Sequence, residues 1–198
     1  MVKEKFFIVL MKLVQSMEKT VILQEQEIRE NLERMAREIL EHNPPGNPFA
    51  LVGIRTGGAF LAHRLQKIIG GISGRTPELG ILDITLYRDD WTRIGPTPVV
   101  GKTEIPFSVD DKTIILVDDV LFTGRTVRAA MDALMDLGRP RKIELAILVD
   151  RGNGHRELPI TANYVGGMWK TEPQETINVY LQEGGHPDHV VIEPKEAA

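Results

Sequence analysis

Residues 114–126 read Ile114-Ile115-Leu116-Val117-Asp118-Asp119-Val120-Leu121-Phe122-Thr123-Gly124-Arg125-Thr126. An apolar run of strand length ends in two adjacent carboxylates. A Thr-Gly-Arg-Thr turn then opens a segment with Val127, Ala130, Met131, Leu134 and Leu137 at helical spacing. The pattern is strand, loop, helix. In an open α/β sheet, ligands bind beyond the carboxyl ends of the strands. A loop entering a helix presents unpaired N–H groups and the positive end of the helix dipole, which suits a phosphate. Gly124 lets the backbone approach an anion, Thr123 and Thr126 add hydroxyl donors, and the two acids can accept hydrogen bonds from vicinal hydroxyls. Together these residues describe a sugar-phosphate site. The blander alternative is an acid pair that only caps the following turn. A P-loop reading fails, because five residues, two of them prolines, separate Gly95 from Gly101-Lys102-Thr103, and Ile105-Pro106 follows where a helix is required.

Outward from this stretch, strands and amphipathic helices alternate. Ile28, Leu32, Met35, Ile39 and Leu40 predict a helix over Gln24–His42, which Asn43-Pro44-Pro45-Gly46 stops. Phe49–Ile54 reads as a buried strand, and Leu61, Leu65, Ile68 and Ile69 as a helix ending at Gly70-Gly71. Further strands are expected at Ile81–Leu86, Lys142–Val149 and Thr176–Leu181. Trp91–Phe107, punctuated by Pro and Gly, reads as a long binding loop or lid. Such alternation implies βαβ units, a mainly parallel open sheet and α/β class. A single domain over residues 17–198 is expected, with a small cap from its ends and an extension at residues 1–16.

Composition narrows the function classes. The 198 residues are 42% hydrophobic and 26% charged, ordinary for a globular chain. With no cysteine, thiol nucleophiles, zinc–thiolate sites and disulfides are excluded, and a reducing, cytoplasmic setting is the natural expectation. Lys3 and Lys5 precede only six apolar residues, Phe6–Met11, short for a secretory signal. No apolar run is long enough to cross a membrane. The net charge of −4 excludes polyanion binding through bulk charge, so any such contact needs a local basic cluster. His186-Pro187-Asp188-His189 reads as a polar turn, and no metal site built from protein ligands is expected.

The 114–126 stretch resembles the phosphoribosyl-pyrophosphate (PRPP) signature of type I phosphoribosyltransferases. Tyr87-Arg88-Asp89-Asp90, Gly138-Arg139-Pro140, Leu148–Gly152 and His155-Arg156-Glu157-Leu158-Pro159-Ile160 are similar to one branch of them, the pyrimidine-operon attenuators that are also uracil phosphoribosyltransferases. The resemblance implies a type I phosphoribosyltransferase fold with a small hood. It implies PRPP held by Val117, Asp118, Asp119, Val120, Leu121, Phe122, Thr123, Gly124, Arg125 and Thr126. Asp118 and Asp119 would take the ribose hydroxyls and the loop the 5′-phosphate. Arg55, Thr56, Gly57 and Gly58 would face the pyrophosphate, and Arg88 would close over it. Mg²⁺ would be bound mainly through PRPP and pyrophosphate.

The same resemblance implies uracil as substrate, UMP or UTP as effectors, a homodimer or higher oligomer, and a leader-mRNA stem-loop as partner. Its RNA face would use Arg34, Arg37, Arg139, Arg141, Lys142, Arg151 and Arg156, although Glu30, Glu33 and Glu41 interrupt the first helix. Two departures bear on base specificity: two extra residues within 151–155, and Gly167–Thr171 where the family usually has Pro-Thr. Where relatives often carry a basic residue, this chain has Gly57. An RNA-binding nucleotide sensor with little catalysis, and a phosphoribosyltransferase for another base such as hypoxanthine, remain the competing readings.

Overall fold

In a computed structural model, residues 19–89 and 101–195 are described. The chain divides into two compact units.

The larger unit, Arg29–Trp169, holds a five-stranded parallel sheet. Its strands are β2 (Phe49–Ile54), β3 (Glu78–Leu82), β4 (Thr113–Leu121), β5 (Lys142–Asp150) and β6 (Tyr164–Met168), in the order β3-β2-β4-β5-β6. Helix α1 spans Glu25–His42, α2 spans Gly57–Ser73 and α3 spans Arg125–Asp136. The central strand β4 is flanked in parallel by β2 and β5, so Thr113–Val117 is buried throughout. A parallel sheet covered on both faces needs such continuous Ile-Ile-Leu-Val runs. Leu32, Met35, Ala36 and Ile39 of α1, Leu61, Ala62 and Leu65 of α2, and Val127, Ala130 and Leu134 of α3 are buried as well.

The structure corrects several sequence expectations. Helix α2 does not stop at Gly70-Gly71: both lie inside it, and Gly74, in the left-handed region, donates its N–H to Gly70 O to end it. The strand expected at Ile81–Leu86 is β3, shifted earlier, because the Asp83 carboxylate takes the Thr85 N–H at 2.8 Å and turns the chain. Leu86 is consequently exposed. Leu137 also lies exposed at the end of α3, outside the buried face. Strand β6 carried no signal, since Gly166 and Gly167 interrupt its apolar alternation. Residues 91–100 of the expected 91–107 loop, and the whole 1–16 extension, lie outside the described residues. The remainder of that loop returns to the sheet edge, where Glu104 and Ile81 exchange both backbone hydrogen bonds.

The smaller unit, described at residues 19–28 and 170–195, is an antiparallel sheet of β1 (Thr20–Gln24), β7 (Glu175–Tyr180) and β8 (His189–Pro194), ordered β1-β8-β7. Only β7 was expected from sequence. Lys19, Asn178 and Tyr180 converge on the Glu193 carboxylate, with Lys19 at 2.6 Å, which holds it below the usual carboxylate range.

Candidate active site

Three segments of the larger unit meet at the carboxyl end of β4. The strand runs past the acids to Leu121, so Asp118 and Asp119 are held by sheet pairing and not by a flexible turn. Asp118 is buried and accepts the Asp119 N–H at 3.0 Å, while Asp119 accepts the Val120 N–H at 2.8 Å. Burial, then the neighbouring Asp119 charge, pushes the Asp118 carboxyl well above its usual range, with nearby Arg88 opposing the shift. Burial pushes Asp119 up as well. A buried acid beside a half-buried one, both pushed toward the neutral form, favours a ligand that brings hydroxyl donors or a cation.

The second segment is the β2–α2 turn. Gly58 lies so close to β4 that a Cβ on it would sit 2.2 Å from Val117 O. A Cβ on Gly57 would meet Asp119 Oδ2 at 2.1 Å. The Gly57 departure from the family pattern therefore has a structural counterpart, because the Asp119 carboxylate occupies the space a side chain would need. The Arg55–Thr56 peptide is cis. The Arg55 guanidinium donates to Lys102 O at 2.9 Å and lies 3.9 Å from Glu104, which holds it toward residues 102–104.

The third segment is the loop into α3. Arg88, Asp89 and residues 120–127 line a pocket of about 190 Å³. Gly124, at φ 92°, makes the turn that aims the first N–H groups of α3 outside the helix ladder. Leu121–Thr126, the segment expected to cradle a 5′-phosphate, lies within this lining. The Arg125 side chain bridges two carboxylates, donating from Nε to Glu157 at 2.6 Å and from Nη1 to Asp89. Glu157 and Leu158 in turn donate their N–H groups to Thr123 O, which ties the 157–158 segment to the loop.

The seven basic residues assigned to an RNA face separate into three groups. Arg151 and Arg156 present no basic surface. Arg151 is buried with its guanidinium 3.9 Å from the Phe122 ring centre, and Arg156 is buried against Asp150 at 2.7 Å and donates to Phe122 O. Arg34 is bound to the backbone of β6, donating to Val165 O at 2.9 Å and Gly166 O at 2.6 Å, and it pairs with Glu38. Arg37, Arg139, Arg141 and Lys142 are exposed, with Arg37 paired loosely to Glu33 at 3.4 Å. Sequence reasoning missed the polar cluster beneath β5 and β6. There Tyr164 donates to the buried Glu144 at 2.7 Å, and Asn43 and Lys142 donate to the same carboxylate. Desolvation opposes ionisation of Glu144, but these donors hold it below its usual range.

A parallel α/β sheet with paired acids and a pocket at the start of the next helix is the arrangement of a phosphoribosyltransferase. The phosphoribosyl transferase domain family matches residues 19–176, and the chain belongs to it. Solved structures agree on the fold. A hypoxanthine phosphoribosyltransferase from Staphylococcus aureus superposes with a TM-score of 0.66 at 21% identity, covering 93% of this chain and 96% of that one. A Trypanosoma cruzi hypoxanthine phosphoribosyltransferase gives 0.68 at 19% identity, covering 92% and 98%. Curated sequences place the chain within one branch, the bifunctional protein PyrR family. It is 53% identical to the Syntrophobacter fumaroxidans member over 87% of this chain and 92% of that one. Identity is 55% to the Desulfosudis oleivorans member (88% and 96%) and 54% to a Bacillus cereus member (90% and 99%).

Proposed function

We propose that this protein transfers the ribose 5-phosphate group of PRPP to uracil, giving UMP and pyrophosphate, and that it also binds pyrimidine-gene leader RNA under control of uridine nucleotides. The observation that carries the catalytic half is the convergence of Asp118, Asp119, the Gly57-Gly58 backbone and the 120–127 pocket at one strand end. The pocket takes the 5′-phosphate on the first N–H groups of α3, the acids take the ribose hydroxyls, and the Gly57-Gly58 turn faces the leaving group. Departure of pyrophosphate leaves positive charge on the ribosyl ring, which the buried carboxylates beside it stabilise. Arg88, within electrostatic reach of Asp118, balances the negative charge growing on the leaving group. Fixing both substrates in line lowers the entropic part of the barrier, by several kcal/mol in favourable cases, on the order of 10⁵ M or more in effective molarity.

Mg²⁺ fits this donor set as a passenger of the substrate. Two adjacent carboxylates, Asp118 buried and Asp119 half-buried, welcome a cation, yet among the described residues no group of three or more carboxylate or imidazole ligands surrounds one position. The ion would be bound mainly through PRPP and pyrophosphate oxygens, and Asp118 and Asp119 would hold it in place through the ribose hydroxyls they accept. When bound, it supplies neutralisation of pyrophosphate charge.

The RNA half rests on kinship to bifunctional relatives and on the exposed cations Arg37, Arg139, Arg141 and Lys142, a face that a homodimer would extend. Among the described residues no helix is long and apolar enough to cross a membrane. The discriminating experiment incubates the protein with PRPP, Mg²⁺ and one free base at a time. Uracil is expected to be consumed far faster than hypoxanthine, guanine or orotate. Turnover of a purine in place of uracil would refute the assignment of base while leaving the fold intact.

A further inference from the structure

Arg125 stands at the first position of α3 and lines the phosphate pocket together with Asp89. Its guanidinium has two anionic partners with different attachments. Glu157 belongs to the segment tied to Thr123 O, so that contact travels with the phosphate loop itself. Asp89 belongs to the turn that carries Arg88. Among the contacts that hold that turn are the Tyr87 hydroxyl donating to Asp136 at 2.7 Å and, at its far end, Asp89 on Arg125. All three charges are at the surface, and one cation facing two carboxylates leaves a local excess of negative charge at the mouth of a pocket meant for a phosphate.

We propose that Asp89 is a built-in competitor of the substrate 5′-phosphate for Arg125: phosphate entry exchanges one anion for another on the guanidinium, with Glu157 as the pivot, and releases the Asp89 end of its turn. The proposal rests on reading the 120–127 pocket as the phosphate site. A phosphate dianion offers more charge and a bidentate acceptor, so it displaces a single solvent-exposed carboxylate. The exchange couples two events that the reaction must order. The 5′-phosphate seats first, and the Asp89 end of the turn is released only then. Asp89 is on this account a positioning residue and not a catalytic one.

The signs are unusual and testable. Deleting a competitor tightens binding, so Asp89→Asn should bind ribose 5-phosphate about two- to fivefold more tightly than wild type, the range an exposed ion pair commands. Arg125→Ala should bind it more weakly. In the Arg125→Ala background, Asp89→Asn should change nothing, whereas simple repulsion between Asp89 and the phosphate would persist there. Calorimetric titration of ribose 5-phosphate into the four proteins measures this cycle. Hydrogen exchange of the 84–89 amides supplies a second readout: ribose 5-phosphate should speed exchange in wild type, and Asp89→Asn should exchange fast with or without it. Wild type that fails to bind ribose 5-phosphate would overturn the pocket reading and this proposal with it. Wild type that binds, with Asp89→Asn equal or weaker, or with a tightening that survives in Arg125→Ala, would overturn the competition alone.

Discussion

Replacing Gly58 by Ala tests how closely the β2–α2 turn must approach the acids. The new Cβ would lie 2.2 Å from Val117 O, 2.9 Å from Asp118 Cα and 3.0 Å from Val117 C, all backbone atoms of the central strand. Ordinary contact begins near 3.4 Å, so the turn and β4 must separate by about 1 Å. No rotamer change relieves a clash between two main chains. Overpacking of this kind costs about 1–3 kcal/mol, and at about 2–4 °C per kcal/mol for a chain of this size the melting temperature should fall by roughly 2–12 °C. A misplacement of about 1 Å between catalytic elements can cost on the order of a hundredfold in rate. Uracil-dependent release of pyrophosphate should therefore show kcat/KM for PRPP reduced by about a hundredfold in Gly58→Ala. Gly57→Ala is the contrasting control, because the nearest atoms to its Cβ belong to the Asp119 side chain, whose carboxylate can rotate away. It should melt close to wild type yet lose PRPP affinity. Gly58→Ala with wild-type kcat/KM would refute the claim that the turn must touch β4.

Three further outcomes follow from the same geometry. Asp118→Asn should raise the melting temperature of the ligand-free protein at neutral pH, because it removes a buried acid whose folded pKa lies above its unfolded value; between those two values the folded state binds the extra proton, so wild-type stability falls as pH rises, and thermal melts should show the gap to the variant closing as pH is lowered through that window. Arg156→Ala leaves the buried Asp150 without its cation and should cost about 3–5 kcal/mol, visible as a melting temperature lower by roughly 6–20 °C in calorimetry. For leader RNA, Arg37→Ala should flatten the log–log salt dependence by about 0.7–0.9 for each phosphate it no longer neutralises, with uracil transfer unchanged, whereas Arg34→Ala should also lower thermal stability because it strands two β6 carbonyls.

The larger unit was legible because its strands are continuous apolar runs and its helices carry regular apolar faces; β2 was delimited correctly and β4 differed only by running through the acids. The strand–loop–helix around the proposed phosphate loop was legible for a different reason, since Thr, Gly and paired Asp at fixed offsets mark the end of a strand and the start of a helix. The smaller sheet was mostly invisible, because β1 and β8 are short, partly exposed strands that become a sheet only through pairing across about 170 residues of chain. The fate of the arginines was illegible for a related reason. Charge is written in the sequence, but whether a guanidinium meets water, as Arg37 does, or a ring and a buried carboxylate, as Arg151 and Arg156 do, depends on partners far along the chain or across a turn. Gly57 likewise reads as a missing basic side chain until Asp119 is seen to fill its space.

The most direct test of the phosphoribosyl site is the balance of products from PRPP and labelled uracil with Mg²⁺, measured for wild type and for Asp119→Asn. Wild type should form UMP and pyrophosphate in equal amounts. Asp119→Asn removes charge-assisted acceptors worth about 1.5–3 kcal/mol each and should lower kcat/KM for PRPP by about ten- to a hundredfold. Absence of UMP from wild type, or an Asp119→Asn variant as active as wild type, would contradict the assignment of this strand end as the phosphoribosyl site.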